Sequence, residues 1–542
     1  MKGLMQDVPL TLSMIFRRAE QLFGDKRIVT AEVGGTRTRT TYAAWCERTR
    51  RLGGVLDALG ISADGRVATF GWNTARHLEL YYAAPCTGRV LHTLNIRLFP
   101  DQLTYIANHA EDEVVFVDKS LLPLYQKVAG TFTTVRHTVV IDDGAPGELP
   151  DGWHDYEQLL ADAGTPVDLE VTDENRAAAM CYTSGTTGNP KGVVYSHRSN
   201  VLHALGTMLA DSVGVCEADV ILPVVPMFHA NAWGICQSGV FAGSDSVLPG
   251  PNMTPAALVE LMEQERVTLA AGVPTIWMGV LPLLEGRDLS SLTRVVAGGS
   301  AVPKALSEGF RQAIGLPIQQ AWWMTETSPV ASTGRLRSSV AGLSDDEKAD
   351  IRALQGMPAA LVDARIVEPD TTTVLPWDGA TSGELQVRGP WIASAYYDDP
   401  RSPESFTADG WLKTGDVATI RPDGYIHLVD RTKDLVKSGG EWISSVDVEN
   451  ELMAHPKIAE AAVIGVPHPK WVERPLACVV VKDGETLTKD EVLEFLAPRV
   501  AKWWLPDDVA FIEEVPKTSV GKFSKKTLRD RFAGHVLPAS GG

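Results

Sequence analysis

From residue 150 onward, short apolar runs ending in glycine alternate with segments of helical periodicity, and this alternation restricts the fold more than any other feature of the chain. Residues 267–271 read as a strand ending at Gly272, and residues 294–297 as another ending at Gly298 and Gly299. Ahead of the first, Thr254 and Pro255 supply an N-cap and a first-turn proline, after which Leu258, Leu261 and Met262 fall on one helical face. Such units build a mainly parallel sheet whose ligands sit at the carboxyl ends of the strands, so an α/β protein is expected. No repeat of 20 to 50 residues and no low-complexity tract is present, which excludes solenoids and propellers.

The last hundred residues differ. Residues 461–466 and 477–481 read as strands, and Thr488 with Glu491 forms a capping box opening a helix that carries Val492, Leu493, Phe495 and Leu496. The charged segment DRTKDLVKSGGEW, residues 430–442, ends in a Gly-Gly pair and suits an exposed, mobile connection. At about 150 residues per folding unit, 542 residues hold three to four units. The expected architecture is a large N-terminal multi-subdomain α/β body, residues 1–430, with a small mobile C-terminal α+β domain, residues 431–542.

Composition removes other classes. With 44% apolar and 22% charged residues the chain reads as a soluble globular protein. Its 50 Lys and Arg against 68 Asp and Glu give a formal charge of −18, which disfavours a nucleic-acid or anionic-membrane surface. The longest apolar run, residues 220–228, is about half the length of a membrane span and contains Pro223 and Pro226. The N-terminal MKGLMQDVPLTL has no long apolar core, so no signal peptide is expected and a cytoplasmic location is. The six cysteines are scattered without a CxxC pair and read as small buried apolar residues.

The strongest local signal is CYTSGTTGNPKGVVYSHRSN, residues 181–200. A short buried strand, Ala177–Tyr182, breaks into hydroxyl residues and glycines before Lys191, a composition that offers backbone N–H groups, hydroxyls and one cation to polyphosphate oxygens. It is not a Walker A loop, because Pro190 stands where the second glycine belongs and Gly192 follows Lys191 in place of Ser or Thr.

The string YTSGTTGNPKG closely resembles the signature of the adenylate-forming superfamily of acyl-CoA synthetases, luciferases and peptide-synthetase adenylation domains. The resemblance continues in order through PMFHANAW (226–233), AGGSAVP (297–303), WWMTETSP (322–329), GWLKTGD (410–416), DRTKDLVKSGGEWIS (430–444) and PKTSVGK (516–522). The likeness is strongest to the fatty-acyl-CoA and methylthiopropionyl-CoA ligase branch. It implies an acid–CoA ligase that uses ATP, Mg²⁺ and coenzyme A to make an acyl-adenylate and then an acyl-CoA, with a homodimer as a family-level expectation. Alternatives are a long-chain fatty-acyl-CoA ligase, an adenylation enzyme that loads a carrier protein, and a catalytically silent nucleotide-binding protein.

The resemblance also implies roles. Glu326 would hold Mg²⁺ and Thr325 the α-phosphate, while Thr183, Ser184, Gly185, Thr186, Thr187 and Lys191 would hold the β- and γ-phosphates. Gly299, Ser300 and Ala301 would line the adenine slot, with Trp322 as its stacking face. Asp416 would accept from the ribose hydroxyls, with Arg431 nearby. Lys522 would reach the carboxylate and α-phosphate during adenylation. Lys433 would be the hinge, and Lys437, Ser438, Gly439, Gly440 and Trp442 the CoA contacts. His229, Trp233 and Val273 would border the acyl chain, His229 as a wall rather than a base, because the carboxylate nucleophile is already ionised.

Two positions depart from the branch. Trp323 stands where fatty-acyl relatives have glycine, and WWxTET resembles acetyl-CoA synthetases, in which the second tryptophan closes a short pocket. The expectation is a preference for short- to medium-chain acids, about two to five carbons or thioether analogues; the alternative is a pocket that bends elsewhere, with Trp323 only core. Lys525 stands where many relatives carry arginine, a difference of little consequence if it touches only solvent or CoA phosphate.

Overall fold

A computed structural model describes residues 1, 3–162, 166–183, 189–369, 371–432, 434–438, 441–518 and 522–538, with Glu441 and Trp442 in backbone only. Two large sheets carry the body. The first orders its seven strands His154–Asp155, His137–Ile141, Asp112–Asp118, Arg66–Phe70, Val90–Thr93, Ala177–Tyr182 and Gly192–Ser196, all neighbours parallel except the last pair. The second runs Met357–Pro358, Val330–Thr333, Ile318–Trp323, Arg294–Gly298, Leu269–Gly272, Val220–Pro223, Asp245–Leu248, Arg27–Ala31 and Arg37–Thr41. Its six central strands, Ile318–Trp323 to Arg27–Ala31, are parallel and the outer pairs antiparallel. Central strands such as Val90–Thr93 and Leu269–Gly272 are buried at every residue, as parallel strands covered on both faces must be. Phe16, Trp45, Leu80, Val201 and Val240, from five helices, pack with Val67 and Phe116 of one sheet and Ile221, Ala271 and Val296 of the other in one continuous core.

Local signals were largely obeyed. The Thr254 side chain accepts from Ala257 N, and helix Pro255–Gln264 buries Leu258, Leu261 and Met262. The following strand begins at Leu269 rather than 267, because Arg266 turns left-handed (φ 56) and the Val267 N–H is spent on the Met262 carbonyl, closing the helix. The Thr488–Glu491 capping box forms and buries Val492 and Leu496.

The βα alternation did not anticipate a third sheet, the antiparallel Asp363–Val367, Gly383–Arg388, Leu412–Ile420 and Ile426–Arg431. Its last hairpin turns on Arg421–Pro422–Asp423–Gly424, with Gly424 at φ 92, a Pro-Asp-Gly turn signal legible in the chain. That sheet ends at Arg431, and the next begins with Val436–Ser438. In this C-terminal sheet the antiparallel pair Ile458–His468 and Val472–Val481 is longer than the two apolar runs, because the runs mark only the buried centre while polar flanks such as Glu473 and Arg474 remain in the ladder. Among the described residues, no helix is long and apolar enough to cross a membrane.

One expectation is corrected, and a condition left open at Lys525 is not met. Cys216, unlike the other five cysteines, is exposed, because it lies in the connection after helix His197–Met208 rather than in a packed element. Lys525 is not a solvent group. Its Nζ lies 2.9 Å from Glu449 Oε1 and 3.8 Å from Asp430 Oδ1, and it donates to Ser445. Glu449 is half-buried, and desolvation, opposed by Lys525, holds it above the usual glutamate range.

Candidate active site

Parallel strands aim their carboxyl ends the same way, so segments distant in sequence emerge side by side. Strands Val220–Pro223, Leu269–Gly272, Arg294–Gly298 and Ile318–Trp323 are neighbours, and beyond them come His229–Trp233, Val273, Gly299–Ala301 and Thr325–Glu326 in turn. From the other sheet, Ala177–Tyr182 leads to Thr183 and returns at Lys191. The Thr183 N–H donates to the Lys191 carbonyl (2.9 Å), and the Lys191 N–H donates to Thr183 Oγ1 (3.2 Å), closing the neck of the loop. Ser184, Gly185, Thr186 and Thr187, expected on the phosphates, lie outside the described residues, as do Lys433, Gly439 and Gly440. Trp442 enters only through its backbone in strand Glu441–Ile443.

Glu326 is nine-tenths buried, and Tyr396 Oη donates to its Oε1 at 2.7 Å. The same tyrosine presents its ring to Lys191, whose Nζ is 4.3 Å from the centroid and also 3.3 Å from Ser405 Oγ. Burial and the Glu326 carboxylate push the Tyr396 hydroxyl well above its ordinary pKa, so it donates throughout the physiological range. Tyr195 Oη donates to the Thr325 carbonyl at 2.7 Å and fixes that turn. Neither tyrosine stood out in the sequence, since Tyr396 acts on a residue 70 positions earlier.

Asp416 lies opposite Arg431 in adjacent strands. Its Oδ1 is 3.4 Å from Arg431 Nε, and its Oδ2 accepts from Trp322 Nε1 at 2.9 Å. Desolvation outweighs Arg431 and Trp322 and holds this carboxyl above the usual aspartate range. Trp322 packs into the core with Ala331 and Ala359, so the indole edge on Asp416 is a contact that the expected stacking face did not include. Of the adenine-slot residues, Ser300 is exposed and Gly299 and Ala301 are half-buried. Lys437 is exposed, while the buried Ser438 accepts from Arg474 at 3.0 Å.

Lys522, from the C-terminal domain, arrives above Gly299: a Cβ there would lie 3.0 Å from Lys522 Cε. Desolvation and Arg431 push its ammonium down to about 8, against the pull of Asp416 and Glu326. Lys522 is therefore cationic below about pH 8 and neutral above it. kcat/KM for adenylate formation should fall as pH rises through that value, and a pH profile of pyrophosphate exchange that stays flat to pH 10 contradicts the assignment.

Among the residues expected to border the acyl chain, Trp233 and Trp323 pack with ring centroids 3.6 Å apart, in one cluster with Val273. Ala230, Asn231, Ala232, Trp233 and Gly234 all have positive φ, 42 to 68°, so a left-handed turn carries Trp233 into the core. Left-handed backbone costs ~1–2 kcal/mol per non-glycine residue, strain that a packed indole helps to hold. Burial, then Lys522 and Arg97, press the His229 imidazole down to about 3, leaving it neutral at physiological pH and suited to a wall.

The neck of a strand-end loop at Thr183 and Lys191, a buried carboxylate, an Asp–Arg pair and a lysine from the C-terminal domain thus stand at the carboxyl ends of the parallel strands, and the family gives the class: an ATP-dependent ligase. The chain belongs to the AMP-binding enzyme family, which it matches over residues 16–397, with the family's C-terminal domain at 447–522. It is 48% identical to a long-chain-fatty-acid–CoA ligase of Thermus thermophilus, over 98% of this chain and 97% of that one. It is 45% identical to a 3-methylmercaptopropionyl-CoA ligase of Ruegeria pomeroyi, over 98% and 99%. Among solved structures, ATP-bound MatB from Rhodopseudomonas palustris superposes with a TM-score of 0.82 at 27% identity, over 96% of this chain and 99% of that one.

Proposed function

We propose that this ATP-dependent, AMP-forming acid–CoA ligase prefers short acids, about two to five carbons or thioether analogues, with Trp323 as the floor of its acyl pocket. The single observation that carries the chain length is the Trp233–Trp323 pair, two indoles with centroids 3.6 Å apart in one cluster with Val273. A relative named for 3-methylmercaptopropionyl-CoA fits this reading, and one named for long-chain acids favours the opposite.

The chemistry joins two anions. The carboxylate attacks the α-phosphorus of ATP and expels pyrophosphate, and CoA thiol then displaces AMP, so the protein's task is positioning and charge neutralisation. In this reading Lys191 and the loop from Thr183 take the β- and γ-phosphates, Thr325 the α-phosphate, Asp416 the ribose and Lys522 the reacting carboxylate. Glu326 suits Mg²⁺: its carboxylate is a hard oxygen ligand, buried, with one oxygen on Tyr396. Bound there, Mg²⁺ supplies charge neutralisation on the phosphates. The C-terminal domain turns about Lys433 to admit CoA past Lys437, Ser438, Gly439, Gly440 and Trp442.

Pyrophosphate exchange with acids from acetate to dodecanoate tests the reading. Butyrate should exceed dodecanoate by more than tenfold in kcat/KM, and equal or greater turnover of dodecanoate overturns it.

A further inference from the structure

Buried indole N–H groups find acceptors, because an unpaired one loses its hydration without replacement. Three tryptophans here comply: Nε1 of Trp277 donates to the Val296 carbonyl, that of Trp322 to Asp416 and that of Trp391 to the Val330 carbonyl. Trp323 does not. It is 5% exposed, and its Nε1 has no partner among the described residues.

The environment of that N–H is specific. The point a Gly299 Cβ would occupy is 3.5 Å from Trp323 Nε1 and 3.7 Å from Lys522 Nζ, and Gly299 itself, at φ +88°, holds a conformation that disfavours any side chain. Two donors thus border one glycine-floored space. Neither can satisfy the other, since an ammonium and an indole N–H both only donate. What completes them is a group with two acceptor oxygens held at a fixed separation. Nε1 of Trp45, Trp233 and Trp504 is also unpartnered among the described residues, so what sets Trp323 apart is its place against Lys522 at Gly299.

We propose that Trp323 Nε1–H donates to the carboxylate of the acid, one oxygen lying on Lys522 and the other on the indole. This rests on Lys522 meeting the acid, as in the function proposed above, and gives Trp323 a second role independent of pocket length. The Lys522-side oxygen forms the bond to the α-phosphorus as the bond to pyrophosphate breaks, its electron pair leaving with pyrophosphate. The indole-side oxygen becomes the acyl carbonyl, and no proton moves. Because the indole meets the carboxylate before reaction, it is a positioning donor and acts chiefly on KM.

Trp323→Phe retains an aromatic wall and removes the donor. Hydrogen bonds to charged groups are worth ~1.5–3 kcal/mol, so KM for the acid in pyrophosphate exchange should rise about 10- to 160-fold, by a similar factor for acetate, propionate and butyrate, with kcat changed far less. An unchanged KM overturns the proposal, as does a factor that grows with each methylene, which is the mark of a wall alone. Failure of the short-acid reading shows separately, in the wild-type enzyme, as rapid dodecanoate turnover. If the variant does not fold, the wild-type protein decides: with a non-hydrolysable ATP analogue present, butyrate should shift the Trp323 indole proton downfield while butyramide does not. An indole proton indifferent to butyrate ends the proposal.

Discussion

Lys522→Ala should lower acid-dependent pyrophosphate exchange at least ~100-fold, the scale lost with one pre-organised charge-stabilising donor, while CoA thioester formation from supplied acyl-adenylate continues near the wild-type rate. The asymmetry follows from what each step asks of a cation. Adenylation brings a carboxylate against a polyphosphate, and Lys522 stands over Gly299, close enough to Asp416 and Glu326 for their charges to act on it. The thioester step begins after pyrophosphate has left, and its nucleophile is a thiol sulfur far from the phosphates of CoA rather than a carboxylate set against a triphosphate. Parallel single-turnover measurements of the two half-reactions are decisive, and an equal loss in both removes Lys522 from its assigned role. The alanine variant should also lose the descending limb near pH 8 from whatever exchange remains, because the group that titrates there is gone.

Trp323→Gly should reverse the order of substrates, with dodecanoate rising to or above butyrate. Each methylene newly accommodated contributes ~0.8 kcal/mol, about fourfold in kcat/KM, so a few buried methylenes suffice. Gly298 already makes room for this ring: a Cβ there would lie 2.3 Å from Trp323 Cζ2. Removing a buried indole should cost ~3–5 kcal/mol of stability, and bound long-chain acid should restore part of the lost Tm by refilling the space. A variant that melts earlier yet keeps the wild-type substrate order would show that Trp323 is core and the chain bends elsewhere. The Phe and Gly variants separate two properties of one side chain, the donor and the volume.

Legibility differed by kind of information. Caps, turns and buried strands are short-range, so Thr254, Thr488 and Ala177–Tyr182 could be read from a few neighbouring residues. Even the antiparallel sheet, which the βα alternation does not encode, announces its last hairpin in RPDG. The surroundings of Lys525 were not legible for a different reason. A lysine near a chain end reads as solvated, and only the folding of helix Ser445–Met453 against strand Ile426–Arg431 brings Glu449 and Asp430 to it.

The chain alone determined the alternation that makes a parallel sheet, the loop chemistry after Tyr182, the family likeness and the anomaly at Trp323, all of which depend on residue type and local spacing. Only the tertiary structure decided that Tyr396 holds Glu326, that Trp322 turns its edge to Asp416, and that an unpartnered indole faces the same small space as Lys522. These are contacts between groups tens to hundreds of residues apart, and no periodicity encodes them. They exist because parallel strands deliver their ends to one edge and a second domain closes over it.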